Sequence, residues 1–280
     1  IDRILAAEGA SHIILLSHSM GGMVTRSAMK DGLASKVLGV VHIFQPVDGA
    51  PVLYRRFFTG ALSSIDGGFG LSTILGNTPE KFATVSSGMP GPLQLLPTNR
   101  YRDTAGAPWM KYKQGGVTAS WAGDVYEHYT GAAGPPALMN FAGPPRGVSA
   151  AAAADLKANV IKARSFHAAL DRYQHPKTRT IHSSGKDTDM AVVFDPPHQP
   201  PPQSQPMPMT FGLVHHDVLP EWKYKGATRV HRMEGDGTVP RTSANPLHPF
   251  VEVQGVEHSD ACGNPGVQGH VKKWIEEMLS

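Results

Sequence analysis

Two near-continuous apolar runs stand out in the first fifty residues. Ile13 to Leu16 places four large aliphatics in a row between polar flanks, and Lys36-Val-Leu-Gly-Val-Val-His-Ile-Phe44 repeats the pattern. Runs of this kind predict strands covered on both faces rather than half-buried strands, which alternate. Between them Met23, Val24 and Ala28 fall on one face of a helix that Gly32 closes, so the segment reads as a β-α-β unit with parallel strands. Ahead of it, Asp2 to Glu8 predicts a short amphipathic helix with Ile4 and Leu5 inward, ended by Gly9. Further on, Leu156, Val160, Ala163, Phe166, Leu170 and Tyr173 recur at steps of three and four, predicting a helix over 155–173 with Pro176 just beyond. Strands are expected at Thr178–Ser183, Met190–Phe194, Thr228–Met233 and Phe250–Gly255, and a closing amphipathic helix at Gly269–Leu279.

Residues 52–154 break this rhythm. Short apolar patches, the flexible Gly67-Gly68-Phe69-Gly70 and the turn-rich segment from Met89 to Pro97 predict short helices and loops inserted between core strands, best read as a cap. Trp109, Tyr112, Trp121, Tyr126 and Tyr129 have no steady period. They are expected either to line a pocket for an apolar acyl chain or to form the cap's own small core. Residues 131–154, rich in Gly, Ala and Pro, read as a linker, and the seven prolines of 196–208 as an extended loop. The predicted organisation is a core from 1–51 and 155–280, with a cap and linker from 52–154.

Composition narrows the function classes. The 280 residues carry Lys+Arg 26 against Asp+Glu 23, a formal charge of +3 with no dense basic block, which argues against nucleic acid as a partner. One cysteine, Cys262, excludes an intrachain disulfide framework. No apolar run approaches the roughly 18 residues a membrane-spanning helix needs.

Three segments carry chemistry. Ser17-His-Ser-Met-Gly-Gly22 lies between the first strand and its helix, where a serine on a tight turn is left exposed and small neighbours let the backbones approach. The usual pattern is G-x-S-x-G, and Ser17 here replaces the first glycine. Glu234-Gly-Asp-Gly-Thr-Val-Pro240 sets an aspartate between two glycines after a strand, and Gly255-Val-Glu-His-Ser-Asp260 sets a histidine after the last strand. Ser19, Asp236 and His258 thus follow in the order nucleophile, acid, base, each where a strand ends. Ser19 would attack an acyl carbon, His258 would take its proton, Asp236 would orient the imidazole, and the Met20 amide would be one oxyanion donor. Asp187 and Asp189 are substitutes for the acid. His18, His42, His215, His216 and His270 compete for the base, but only His258 follows the final strand, and His18 reads as packing beside the elbow or as a support to the groups that react. His215-His216-Asp217 is too small a set for a metal site.

The combination HSMGG, GDGTVP and VEHSD resembles the lecithin:cholesterol acyltransferase and phospholipid:diacylglycerol acyltransferase family of α/β-hydrolases, including bacterial lipase-like members. The likeness rests on 12–60 and 228–280, with the LQLLP segment at 93–97 inside a long cap. It implies an α/β-hydrolase fold with a mostly parallel sheet, catalytic roles for Ser19, Asp236 and His258, no cofactor, a lipid or other apolar ester as substrate, and transient contact with a membrane surface. The activity implied is a serine esterase or lipase acting on glycerolipids or phospholipids. The alternatives are a lipid O-acyltransferase using the same serine, and a noncatalytic binding or structural protein on a truncated scaffold. The family's sheet contributes strands ahead of its nucleophile. The expectation is therefore that N-terminal strands of the fold come from a longer protein or another chain, or that the fold is rearranged.

Overall fold

The computed structural model describes residues 1–61, 74–114, 117–126, 149–194, 227–244 and 249–280. The elements are α1 (Asp2–Glu8), β1 (Ile13–His18), α2 (Gly21–Lys30), β2 (Val37–Ile43), α3 (Pro51–Thr59), α4 (Pro79–Gly88), α5 (Pro90–Gln94), β3 (Met110–Gln114), β4 (Val117–Trp121), α6 (Ala150–Leu170), β5 (Thr178–Ser184), β6 (Lys186–Phe194), β7 (Ala227–Gly235), α7 (Arg241–Ala244), β8 (Phe250–Gln254) and α8 (Pro265–Leu279). They form two four-stranded sheets flanked by helices, an α/β-hydrolase-like architecture.

The first sheet runs β1-β2-β5-β8 and is parallel at every pairing. Of its strands, β1 and β2 read as near-continuous apolar runs because both faces are covered. On one face Met29 of α2 packs with Val37, Val40, Ile13 and Leu15. On the other, Val267, Trp274 and Met278 of α8 pack on Val41, Ile43 and Ile181. Gly39 lets α8 approach β2, since a Cβ there would run into the Met278 thioether. β1 lies at the edge of this sheet, and its Leu16 is 51% exposed.

The second sheet, β4-β3-β6-β7, joins strands from both sides of the chain's midpoint. β3 and β4 fall in the region expected to hold only short helices and loops, while β6 and β7 come from 186–235. β3 pairs parallel with β6, and the other two pairings are antiparallel. The second apolar cluster gathers Leu53, Tyr54, Phe57, Phe82, Leu93, Tyr101, Trp109, Tyr126 and Val160 from α3 to α6 and the intervening loops. Trp109 packs edge-on against Tyr54 at 5.1 Å, and the Tyr126 hydroxyl donates to the Leu93 carbonyl at 3.0 Å. Trp109 and Tyr126 are buried in this cluster, with Trp121 packed against it.

Some boundaries differ from expectation. α6 starts at Ala150, inside the stretch read as linker, because Ser149 caps the Ala152 amide and alanine is the strongest helix former. α1 buries none of its residues, and Ile4 is 57% exposed rather than inward. The proline-rich 196–208 and the His215-His216-Asp217 triplet lie outside the described residues. Among the described residues, no helix is long and apolar enough to cross a membrane, and no group of three or more His, Cys, Asp or Glu is placed to hold a metal ion.

Candidate active site

β1 ends at His18, and the chain turns at once into α2, with Ser19 at the bend. Its φ of 55° lies in the left-handed region, which costs a residue with a Cβ about 1–2 kcal/mol. The neighbours hold it there: the Ser19 amide donates to the Ile43 carbonyl of β2 at 2.9 Å, and the Ser19 carbonyl accepts from Gly22 at 3.0 Å. Gly22 is required by proximity, because a Cβ would collide with the side chain of Gln45. Ser17, standing in the first glycine position of the pattern, is buried and shares a 2.6 Å hydrogen bond with His42 Nδ1, which occupies its hydroxyl beneath the bend.

Asp236 follows β7 in a turn that Gly237 makes possible at φ 90°. Its carboxylate is divided between two tasks. Oδ1 accepts from the amides of Thr238 and Val239 at 2.9 and 2.7 Å, while Oδ2 accepts from His258 Nδ1–H at 2.8 Å. Thr188 of β6 braces the same turn by accepting the Gly237 amide at 2.9 Å. Asp236 is 1% exposed.

His258 opens a short 3-10 segment after β8, and its own amide donates to the Asp236 carbonyl at 2.8 Å. A carboxylate can only accept, so the bond to Oδ2 fixes the proton of neutral His258 on Nδ1. Nε2 is left as an acceptor, and it lies 2.8 Å from Ser19 Oγ. The neighbouring Glu257 pairs with Lys186 at 3.1 Å, which ties this loop to β6.

Ser19, His258 and Asp236 therefore form one continuous hydrogen-bonded array drawn from β1, β8 and β7. Met20 caps the start of α2, with its carbonyl accepting from Met23 and Val24. A Cβ on Gly91 of α5 would approach Met20 Sδ to 3.3 Å, so the cap-region segment lies against the elbow. Asp189, the substitute acid, is instead paired with Arg55 at 2.6 Å, both buried. Of the competing histidines, His42 is held by Ser17, and His270 lies on α8 near Trp274, 6.1 Å between rings. Reasoning from sequence placed His18 beside the elbow but not its contact with His258, whose ring lies 4.8 Å away, and missed Phe44, which holds φ 52° with its ring 6.3 Å from His258. Their only sequence signal was adjacency to the elbow and to the end of β2.

Fold and site together define an α/β-hydrolase-like protein with an ordered serine, histidine and aspartate at its strand ends. No protein-family model matches the chain, and no curated protein matches it. Among solved structures, a chain in the crystal structure of the Tle4-Tli4 complex is similar, with a TM-score of 0.65 and 20% identity, over 95% of this chain and 59% of that one. At that identity the likeness is one of fold, and this chain spans less than two thirds of its relative's length. It supports a hydrolase-like fold in general and does not single out the lecithin:cholesterol acyltransferase and phospholipid:diacylglycerol acyltransferase family.

Proposed function

We propose that the protein is a serine esterase acting on lipid or other apolar esters through an acyl-serine intermediate. The observation that carries this reading is the unbroken path from Ser19 Oγ through His258 to Asp236, with both links at 2.8 Å. Ser19 Oγ attacks the acyl carbon as its proton passes to His258 Nε2, and Asp236 stabilises the imidazolium that forms. The Met20 amide, at the positive end of α2, is the proposed donor to the oxyanion. His258 then returns the proton to the departing alcohol, and water repeats the sequence in reverse to release the acid. No step calls for a cofactor.

The segments over the elbow, with α5 against Met20, are the proposed cap on the substrate side, and the motifs shared with the lipid acyltransferase family favour an acyl ester of a lipid. Among the described residues no strand pairs with the outer edge of β1, which supports the proposal that further strands of the fold join it there. A fluorophosphonate probe tests the assignment directly. Wild-type protein is expected to be labelled on Ser19, and Ser19→Ala to lose all labelling while keeping its circular dichroism spectrum. Labelling that survives the substitution sinks the proposal.

A further inference from the structure

We propose that His18 is a positioning residue that locks the backbone of His258 to the serine elbow, an inference that rests on the serine esterase reading. The His18 ring nitrogen Nε2 lies 3.0 Å from the His258 carbonyl oxygen, and a carbonyl only accepts, so Nε2 carries the proton and donates it. His18 immediately precedes Ser19 in the chain. This one hydrogen bond therefore joins the residue before the nucleophile to the main chain of the base, across 240 positions of sequence.

Three further contacts make the arrangement specific. The rings of His18 and His258 lie 4.8 Å apart, tilted by 40°. Phe44, buried and held at positive φ, closes the group with its ring 6.5 Å from His18 and 6.3 Å from His258. On the opposite side, Asp236 holds His258 twice, through the amide and through Nδ1. His258 is thus fixed from the acid side by Asp236 and from the nucleophile side by His18. Without His18 the carbonyl end of His258 has lost its tie to β1, and the distance from Nε2 to Ser19 Oγ is no longer set by a direct link between the two segments.

The charge state fits the role. Burial holds His18 below the usual histidine range, and the nearby His258 pushes it the same way, whereas its bond to the His258 carbonyl and the more distant Asp236 oppose the shift. A neutral donor is the form required beside His258, which becomes a cation each time it accepts the serine proton.

The test uses the full chain and three substitutions, read by steady-state hydrolysis of p-nitrophenyl butyrate and by the rate of fluorophosphonate labelling. His18→Ala is expected to lower kcat about 10- to 100-fold, the loss typical of misplaced reacting groups, with KM little changed. His18→Gln, whose amide nitrogen reaches the position of Nε2, is expected to restore kcat to within about threefold. His18→Asn, too short to reach the His258 carbonyl, is expected to behave like the alanine variant. Thermal unfolding of each variant, with comparison confined to those that melt like wild type, separates positioning from collapse of the elbow. An alanine variant within threefold of wild type overturns the inference, and so does rescue by asparagine equal to that by glutamine, or a folded glutamine variant as slow as alanine. Wild-type protein that neither hydrolyses the ester nor takes the probe defeats the esterase reading instead, a distinct result.

Discussion

Asp236→Asn tests the chemistry of the array without disturbing its frame. In the wild type, Oδ1 accepts two backbone amides, from Thr238 and Val239, and Oδ2 accepts the His258 Nδ1 proton. An asparagine must place its one oxygen on one side or the other. Turning the oxygen toward His258 would aim an NH2 group at one buried and one part-buried amide donor, and leaving a buried donor unsatisfied costs about 1–3 kcal/mol. Turning it toward the turn costs no hydrogen bond, because His258 can move its proton from Nδ1 to Nε2 and accept from the new amide. The second arrangement is therefore favoured, and it leaves Nε2 protonated where it faces Ser19. A protonated Nε2 cannot take the serine proton. In a Ser-His-Asp relay this exchange costs about 10⁴ in kcat, or ~5.5 kcal/mol of barrier. The expected result is a fall of about 10³- to 10⁴-fold in both ester hydrolysis and probe labelling near neutral pH. The melting temperature should stay within about 3 °C of wild type, since the turn keeps its two bonds. A folded Asp236→Asn protein with more than about a tenth of wild-type activity would refute the tautomer argument.

Two further outcomes are expected. Gly237→Ala puts a Cβ at a φ of 90°, 2.7 Å from Glu257 Oε2, so thermal unfolding should show a loss of about 1–2 kcal/mol, with activity lowered as the loop bearing His258 shifts. An unchanged melting curve would show that the turn is unstrained. His167, partly buried on α6 and donating to the Gln94 carbonyl at 2.6 Å, is pushed by burial from 6.5 to about 4. The unfolded chain then binds the extra proton first, so stability is complete above pH 6.5 and is lost as pH falls toward 4. The shift corresponds to about 3 kcal/mol at most, and partial solvent contact reduces this to ~2 kcal/mol. Urea unfolding across this window should show the decline, and His167→Gln, which keeps the donor, should flatten it. Equal slopes in the two proteins would exclude His167 as the source.

The legible parts of the sequence were those where local chemistry and tertiary role coincide. β1 and β2 announced themselves because a strand covered by α2 on one face and α8 on the other has no polar face to interrupt it. The strand-end positions of Ser19, Asp236 and His258 were readable because each stands among residues suited to tight turns, with Gly22 at a close approach to Gln45 and Gly237 at positive φ. β3 and β4 were not readable. Their sequences, MKYKQ and VTASW, are short, and they join the sheet through β3, which pairs with β4 on one side and on the other with β6, more than 70 residues away. The onset of α6 was hidden by its alanines, which resemble linker in composition yet favour helix once Ser149 caps them. For His18 packing and support of the reacting groups both stayed open because adjacency to Ser19 says nothing about direction, and the left-handed bend at Ser19 decides where its neighbour's ring points.

The wide separation of Ser19 and His258 also bears on synthesis. The two residues stand 239 positions apart. A ribosome adding about 5–20 residues per second needs roughly 12–48 s to pass from one to the other. Throughout that interval the emerging chain holds Ser19 without His258, and β8, the strand that precedes His258, is the last of the eight described strands to be translated. The array therefore cannot close until β8 and the turn that follows it have been made, an order set by the chain alone.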